Sequence, residues 1–171
     1  PNYDSSFHTE LEYPAHLNFL KCCLAQGLKK MYVTGTCYEY GLVSGELTEE
    51  TPAKPCTKYG SAKNMLHEAL LELQKIYSFQ LTWFRLFYLY GEGQSESSLY
   101  SSLRSAIKRG ETAFPMSGGD QLRDFLPVEM AAKMMIGAVL QKNLQGTLNV
   151  CSGNPVSVKS IAQQWIECEK S

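Results

Sequence analysis

Two kinds of hydrophobic pattern alternate along the chain. In the first, apolar residues recur every three to four positions, which predicts amphipathic helices; in the second, short runs of β-branched and aromatic residues predict buried strands. The predicted helices are 14–26, 58–77, 98–110, 127–141 and 156–169, and the predicted strands are 30–36, 80–90 and 146–151. We expect irregular chain over the first ten residues and over 37–57, where glycine, proline and acidic residues occur together.

The alternation of strands and helices predicts an α/β fold. The 80–90 segment is apolar almost throughout, which is typical of a strand covered on both faces. The strand at 30–36, a crossover containing the 58–77 helix and the strand at 80–90 would form a right-handed βαβ unit with parallel strands. Ser157 is the predicted N-cap of the last helix.

Composition and charge narrow the function classes. The 171 residues include 16 Lys+Arg and 17 Asp+Glu, for a net charge of -1, and 44% are hydrophobic. This balance is typical of a globular protein and argues against nucleic-acid partners and polybasic membrane patches. No apolar run approaches the ~20 residues of a membrane span, so we expect a soluble, cytoplasmic protein. The six cysteines lack CxxC pairs and zinc-like spacing, which predicts reduced thiols without a disulfide framework or a metal site.

Candidate acid–base chemistry begins with Tyr59 and Lys63 at the start of the long helix. Residues four apart lie on one helix face, so the lysine ammonium would lie beside the phenol and lower the pKa of the tyrosine. Taken alone, the pair also fits a solvated helix face. Thr36 ends a predicted strand, and the carboxyl ends of parallel strands meet at the ligand crevice of such folds. Its hydroxyl could therefore bind a substrate oxygen while Tyr59 moves the proton.

Four segments resemble motifs of the extended short-chain dehydrogenase/reductase family and occur in the family's order. They are VTGTCYEYG at 33–41 with Pro55 and the Tyr59/Lys63 pair after it, RLFYLYGEGQ at 85–94, RDFLPV at 123–128 and LNVCSG at 148–153. This family comprises NAD(P)-dependent nucleotide-sugar epimerases, dehydratases and reductases. The resemblance implies a partial doubly wound, Rossmann-type sheet over residues 1–95, with a mostly substrate-binding region over 96–171 and a strand–helix return at 146–169.

The resemblance also implies roles for single residues. Thr36, Tyr59 and Lys63 would be catalytic, with Tyr59 as the acid–base group and Lys63 holding the nicotinamide ribose. The residues implied to contact NAD or NADP are Tyr59, Lys63 and Tyr90, and those implied to contact substrate are Thr36, Cys37, Tyr38, Tyr88, Gln94 and Arg123. Arg123 would clamp the diphosphate of a UDP- or dTDP-linked sugar, and a surface ion pair with Asp124 or Asp120 is the open alternative for this arginine.

Differences from the family's sequence pattern reduce the number of reactions that the resemblance allows. Family members that remove water at sugar C6 carry Asp-Glu directly after the catalytic threonine, whereas this chain has Cys37 and Tyr38. A 4,6-dehydratase is therefore disfavoured, which leaves epimerisation at C4 or reduction of a 4-keto sugar nucleotide. Tyr88 replaces an asparagine that many members place near the substrate phosphates, and Met130 replaces a commonly acidic residue.

The sequence contains no GxxGxxG turn, the motif that binds the dinucleotide pyrophosphate in this family. Pro1 corresponds to a point after the family's first two βαβ units, roughly 60 residues at about 30 per unit. We consider a piece of a longer enzyme, a truncated reading frame, and a remnant that binds no cofactor and acts as a non-catalytic binding or assembly module. A sheet without those strands exposes an apolar edge, which predicts a homodimer or larger oligomer through the helices at 58–77 and 98–109.

Overall fold

The computed structural model describes residues 2–141 and 143–169, and the chain divides into two compact units. The first unit comprises Pro1–Leu86 and Met135–Val150, and the second comprises Phe87–Met134 and Cys151–Ser171. The strands are β1 (Lys30–Thr36), β2 (Gln80–Leu86), β3 (Tyr88–Tyr90), β4 (Leu122–Arg123), β5 (Phe125–Pro127), β6 (Gly146–Val150) and β7 (Val156–Ser157). The α-helices are α1 (Tyr13–Ala25), α2 (Lys58–Leu73), α3 (Leu99–Lys108), α4 (Val128–Val139) and α5 (Val158–Glu169).

The first unit is built on a parallel sheet with the strand order β1-β2-β6. Thr36 is in register with Leu86, and Leu86 is in register with Val150, so the carboxyl ends of the three strands lie at one edge. Since α2 connects β1 to β2, the chain forms the predicted βαβ unit, and the α/β prediction with a parallel sheet is confirmed.

One hydrophobic core joins this sheet to α1 and α2. Met31, Leu81 and Trp83 project from alternate positions of β1 and β2, as the period of a strand requires. They pack against Leu66 and Leu70, which lie one helical turn apart on α2. This packing fixes the helix axis against the strands and brings the amino end of α2 to the carboxyl end of β1.

The second unit has two small pairings, β3 with β5 in parallel and β4 with β7 in antiparallel orientation. Its core includes Leu103 of α3 and Ile161 and Trp165 of α5. Aromatic rings surround the indole of Trp165, and they belong to Tyr90, Tyr100 and Phe125.

Several predicted boundaries are wrong. The 80–90 segment forms two strands separated at Phe87, because β2 pairs within the first unit and β3 pairs with β5. The long helix ends at Leu73, four residues before the predicted end. A π-helical turn over residues 8–12 begins within the first ten residues, where we expected irregular chain. The short strands at 122–127 were not predicted, because hydrophobicity reports burial and does not identify a pairing partner.

The other predicted helices and strands agree with the structure to within two residues at each end. The cap of the last helix is also as predicted, since the Ser160 N–H donates to Ser157 Oγ at 3.0 Å. Within the described ranges, no helix combines the length and the apolar character needed to cross a bilayer.

Candidate active site

Thr36 is the last residue of β1, and both its backbone N–H and its side-chain hydroxyl form hydrogen bonds. Its N–H donates to Glu39 Oε1 at 2.8 Å, and its hydroxyl accepts the Tyr38 N–H at 3.3 Å. These bonds make Thr36 the N-cap of a short 3-10 helix over Cys37–Glu39, which turns the chain away from the sheet. The side chain is only 5% exposed, so its hydroxyl has a defined position at the carboxyl end of the strand.

Tyr59 lies in the first turn of α2, which Thr57 caps by accepting the Gly60 N–H at 3.1 Å. A side chain at position 60 would place its Cβ 2.5 Å from the carbonyl oxygen of Tyr38. Glycine therefore allows the start of α2 to touch the backbone of the 3-10 helix. This close approach explains how a residue from α2 reaches the hydroxyl at the end of β1.

The Thr36 hydroxyl lies close to the Tyr59 phenol and favours its ionised form, which lowers the pKa of this side chain. The pKa of Tyr59 is nevertheless raised above its usual value, first by burial and then by the negative charge of Glu12. In neutral solution the tyrosine of this structure is thus a protonated phenol.

Lys63 lies on the same face of α2, with Nζ 5.9 Å from the centre of the Tyr59 ring. The ammonium donates to the carbonyl oxygen of Thr34 at 3.3 Å. The pKa of Tyr59 is raised on balance, first by burial, and the lowering of this pKa by Lys63 stays a prediction. The side chains of Tyr59 and Lys63 lie close together, as their spacing predicted.

Aromatic side chains from the start of the chain enclose Tyr59. The ring of Tyr3 is stacked on Tyr38 at 4.8 Å and lies 5.6 Å from Tyr59, whose backbone N–H donates to the Tyr3 carbonyl at 2.9 Å. The ring of His8 contacts Tyr59 edge-on at 5.2 Å, and its Nδ1 lies 2.7 Å from a Glu12 carboxylate oxygen. Sequence reasoning missed this contribution, although Tyr, Phe and His within the first eight residues were a usable signal for packing.

The other residues predicted in the first unit lie beside this pair. Cys37 is buried in the 3-10 helix and Tyr38 is half-buried, with its ring 6.2 Å from that of Tyr59. The structure therefore brings together five predicted residues, namely Thr36, Cys37, Tyr38, Tyr59 and Lys63. Their roles in substrate and cofactor binding stay predictions.

In the second unit, the structure places Arg123 against Tyr88, with the guanidinium carbon 5.3 Å from the ring centre. The guanidinium also donates to the Leu122 carbonyl at 2.8 Å and to Gln121 Oε1 at 3.0 Å. Asp124, one of the alternative ion-pair partners considered for Arg123, instead accepts two backbone N–H groups of the 152–153 turn at 2.6 and 2.7 Å. Arg123 thus presents a planar donor whose orientation is set by its neighbours.

Tyr90 and Gln94 have local structural contacts in the same unit. The ring of Tyr90 lies 5.0 Å from that of Trp165 and 5.5 Å from that of Tyr100. Gln94 Nε2 donates to the Leu89 carbonyl at 2.8 Å, which closes the turn after β3. Their predicted contacts with cofactor and substrate stay predictions.

Comparison with known proteins connects this geometry to one family. The family model described as "NAD dependent epimerase/dehydratase family" matches residues 8–151. A dTDP-6-deoxy-L-talose 4-dehydrogenase (NAD(+)) of Aggregatibacter actinomycetemcomitans is 29% identical over 161 residues, which are 90% of this chain and 59% of that protein.

Solved structures confirm the Rossmann-type fold. A UDP-N-acetylglucosamine 4-epimerase from Methanobrevibacter ruminantium superposes with a TM-score of 0.84 at 24% identity, over 92% of this chain and 52% of that one. A UDP-glucuronic acid 4-epimerase from Bacillus cereus gives a TM-score of 0.81 at 21% identity, over 91% of this chain and 50% of that one. The chain therefore spans about half the length of these proteins.

Proposed function

The chain belongs to the NAD dependent epimerase/dehydratase family, and from this premise we propose that it supplies the catalytic and substrate-binding part of a nucleotide-sugar 4-ketoreductase or C4 epimerase. The juxtaposition of Thr36 and Tyr59, with Lys63 one turn along the same helix, carries this proposal. The names of two similar proteins, a 4-dehydrogenase and a 4-epimerase, support chemistry at sugar C4.

The protonated state of the Tyr59 phenol suits the role of an acid in ketone reduction. A phenol that is protonated in neutral solution can donate its proton to a C4 oxygen as the carbonyl becomes an alcohol. The Thr36 hydroxyl would hold that oxygen and would also stabilise the phenolate left on Tyr59. In the reverse direction the phenolate would take the proton of the C4 alcohol.

A nicotinamide cofactor, when bound, supplies or accepts the hydride in this chemistry. The residues present fit its reactive end, because an ammonium has three N–H donors and the Thr34 carbonyl accepts one donor of Lys63. Lys63 thus retains donors for the ribose hydroxyls of NAD or NADP. Tyr59, on the same helix face, would contact the nicotinamide side, with Tyr90 as a further contact.

The substrate would be a UDP- or dTDP-linked sugar. Cys37 and Tyr38 adjoin Thr36 and would line the sugar side of the site. Arg123, held against Tyr88, has the planar donor geometry that suits a diphosphate, and Gln94 would be a further substrate contact. Assembly as a homodimer or larger oligomer remains part of the proposal.

Tyr59→Phe tests the proposal, because it removes the hydroxyl that moves the proton and keeps the ring. We expect turnover of a dTDP-4-keto-6-deoxy sugar with NADH or NADPH, followed by absorbance of the reduced cofactor, to fall about 10²–10⁴-fold. Tyr77→Phe makes the same change beyond the far end of α2 and should leave turnover unchanged. Near-normal turnover in Tyr59→Phe would overturn the mechanism.

Calorimetric titration of the 171-residue chain with NADH and NADPH tests the cofactor separately from turnover. Micromolar affinity for either cofactor would support the proposal that the chain forms part of an NAD(P)-dependent enzyme. Binding of a nucleotide sugar with no detectable binding of either cofactor would instead favour the non-catalytic binding module.

A further inference from the structure

A completely buried carboxylate lies directly behind Thr36 in the first unit. The side chain of Glu39 is 0% exposed. Its Oε1 accepts the Thr36 backbone N–H at 2.8 Å, its Oε2 accepts Arg85 Nε at 2.8 Å, and Trp83 Nε1 lies 3.1 Å from both oxygens. Donors from β1 and β2 therefore converge on one acidic group.

The backbone of β1 is shaped to admit this carboxylate. A Cβ at Gly35 would overlap both Trp83 Nε1 and Glu39 Oε1, so any side chain at this position would displace the network. Glycine next to Thr36 therefore allows the carboxylate and the indole to lie directly against the strand end.

The network continues across the sheet to β6. The Arg85 guanidinium stacks on the ring of Tyr40 at 4.4 Å, and the Tyr40 hydroxyl donates to Asn149 Oδ1 at 2.7 Å. The carboxyl ends of β1, β2 and β6 are thus tied together by polar contacts centred on Glu39. A buried ion pair is often no more stabilising than apolar side chains of similar volume, so stability alone is a poor account of this arrangement.

We infer that Glu39 is a positioning residue for proton transfer, which holds the backbone of Thr36 so that the threonine hydroxyl faces Tyr59. The inference rests on the proposed function of the Thr36–Tyr59 pair. Glu39 accepts the Thr36 backbone N–H, and the Thr36 hydroxyl lies close to the Tyr59 phenol, so Glu39 would act on the phenol through the threonine. Misplacement of a reacting group by about 1 Å can reduce a rate about 10²-fold, which gives the orientation of Thr36 its importance.

Glu39→Gln tests this role, since an amide offers one oxygen where the carboxylate offers two. The charged Arg85 would compete for that oxygen, and the amide NH₂ would then face the Thr36 N–H, donor against donor. Trp83→Phe is the matched control, because it removes one donor from the same carboxylate and leaves the Glu39–Thr36 bond intact.

The first readout needs no turnover. In the chain labelled with ¹³C-tyrosine, the Cζ resonance of Tyr59, assigned by its loss in Tyr59→Phe, responds to hydrogen bonding at the phenol oxygen. We expect Glu39→Gln to move this resonance in the same direction as Thr36→Ala, and the double variant to move it no further than Thr36→Ala alone. Trp83→Phe should leave it in place.

The second readout is the division between kcat and KM. We expect Glu39→Gln to lower kcat about tenfold, the equivalent of one misplaced hydrogen bond, with KM within about twofold of the original. Because Glu39→Gln leaves the buried Arg85 without a negatively charged partner, this variant is replaced, if it fails to fold, by Glu39→Met/Arg85→Met, which removes both charges and the acceptor of the Thr36 N–H. The same resonance shift is expected from this pair.

The outcomes separate this inference from the proposed function. If Thr36→Ala moves the Tyr59 resonance and the folded Glu39 variant does not, Glu39 is not a positioning residue, whatever the reaction. If Thr36→Ala and the Glu39 variant both move the Tyr59 resonance but Tyr59→Phe keeps normal turnover, Tyr59 is not the acid–base group. The link between Glu39 and Tyr59 would then have no role in catalysis.

Discussion

His67 makes the stability of the first unit depend on pH in a way that the structure predicts in detail. Its imidazole lies flat on the indole of Trp83, with ring centres 4.6 Å apart and an angle of 9° between the planes. The residue is 7% exposed. Burial, and secondly the positive charge of Arg85, lower the pKa of His67 from 6.5 to about 4.

The sign of the effect follows from where the proton binds. Between pH 6.5 and pH 4 the unfolded chain takes up a proton at His67 and the folded chain does not, so acid favours unfolding. The stabilisation is complete above pH 6.5 and is lost as the pH falls towards 4. A pKa difference of this size is worth about 3 kcal/mol in total, of which about 2 kcal/mol is lost by pH 5.

Urea denaturation at pH 7.5 and at pH 5 measures this loss. His67→Gln removes the titrating group, so the free energy of unfolding of this variant should decrease less than that of the unmodified chain when the pH is lowered from 7.5 to 5. The two decreases should differ by about 2 kcal/mol. Stability at pH 7.5 will also change because the stacked ring is lost, and only the difference between pH values is diagnostic. His16→Gln, at an exposed position of α1, is the control and should keep the full loss. Equal losses in the unmodified chain and in His67→Gln would refute the reasoning.

Two further predictions concern the backbone that supports the candidate sites. Gly60→Ala would bring a Cβ to 2.5 Å from the carbonyl oxygen of Tyr38, and we expect thermal unfolding to show a loss of stability of about 1–3 kcal/mol. The control is Gly137→Ala in α4, where the added Cβ meets open space, and it should be neutral or stabilise the protein by up to about 1 kcal/mol. Asp124→Ala removes the acceptor of two N–H groups in the 152–153 turn and should cost about 2 kcal/mol, with faster amide hydrogen exchange in that turn; unchanged exchange there would contradict the assignment.

The sequence by itself determined the features that depend on residues close together in the chain. The period of apolar residues identified the helices and the buried strands, and the four-residue spacing of Tyr59 and Lys63 was sufficient to place them on one helix face. The position of Thr36 at the end of a parallel strand also followed, because a strand, a crossover containing a helix and a second strand predict a parallel pair. These inferences needed no knowledge of distant contacts.

Only the tertiary structure decided what surrounds those residues. Glu39 contacts Trp83 and Arg85 across more than forty positions of sequence, and the enclosure of Tyr59 by the first residues of the chain likewise depends on packing. The same is true of the pKa of Tyr59, because the sequence shows the nearby lysine but not the burial that raises this pKa. Burial and long-range hydrogen bonds are properties of the packed chain, so local spacing cannot report them.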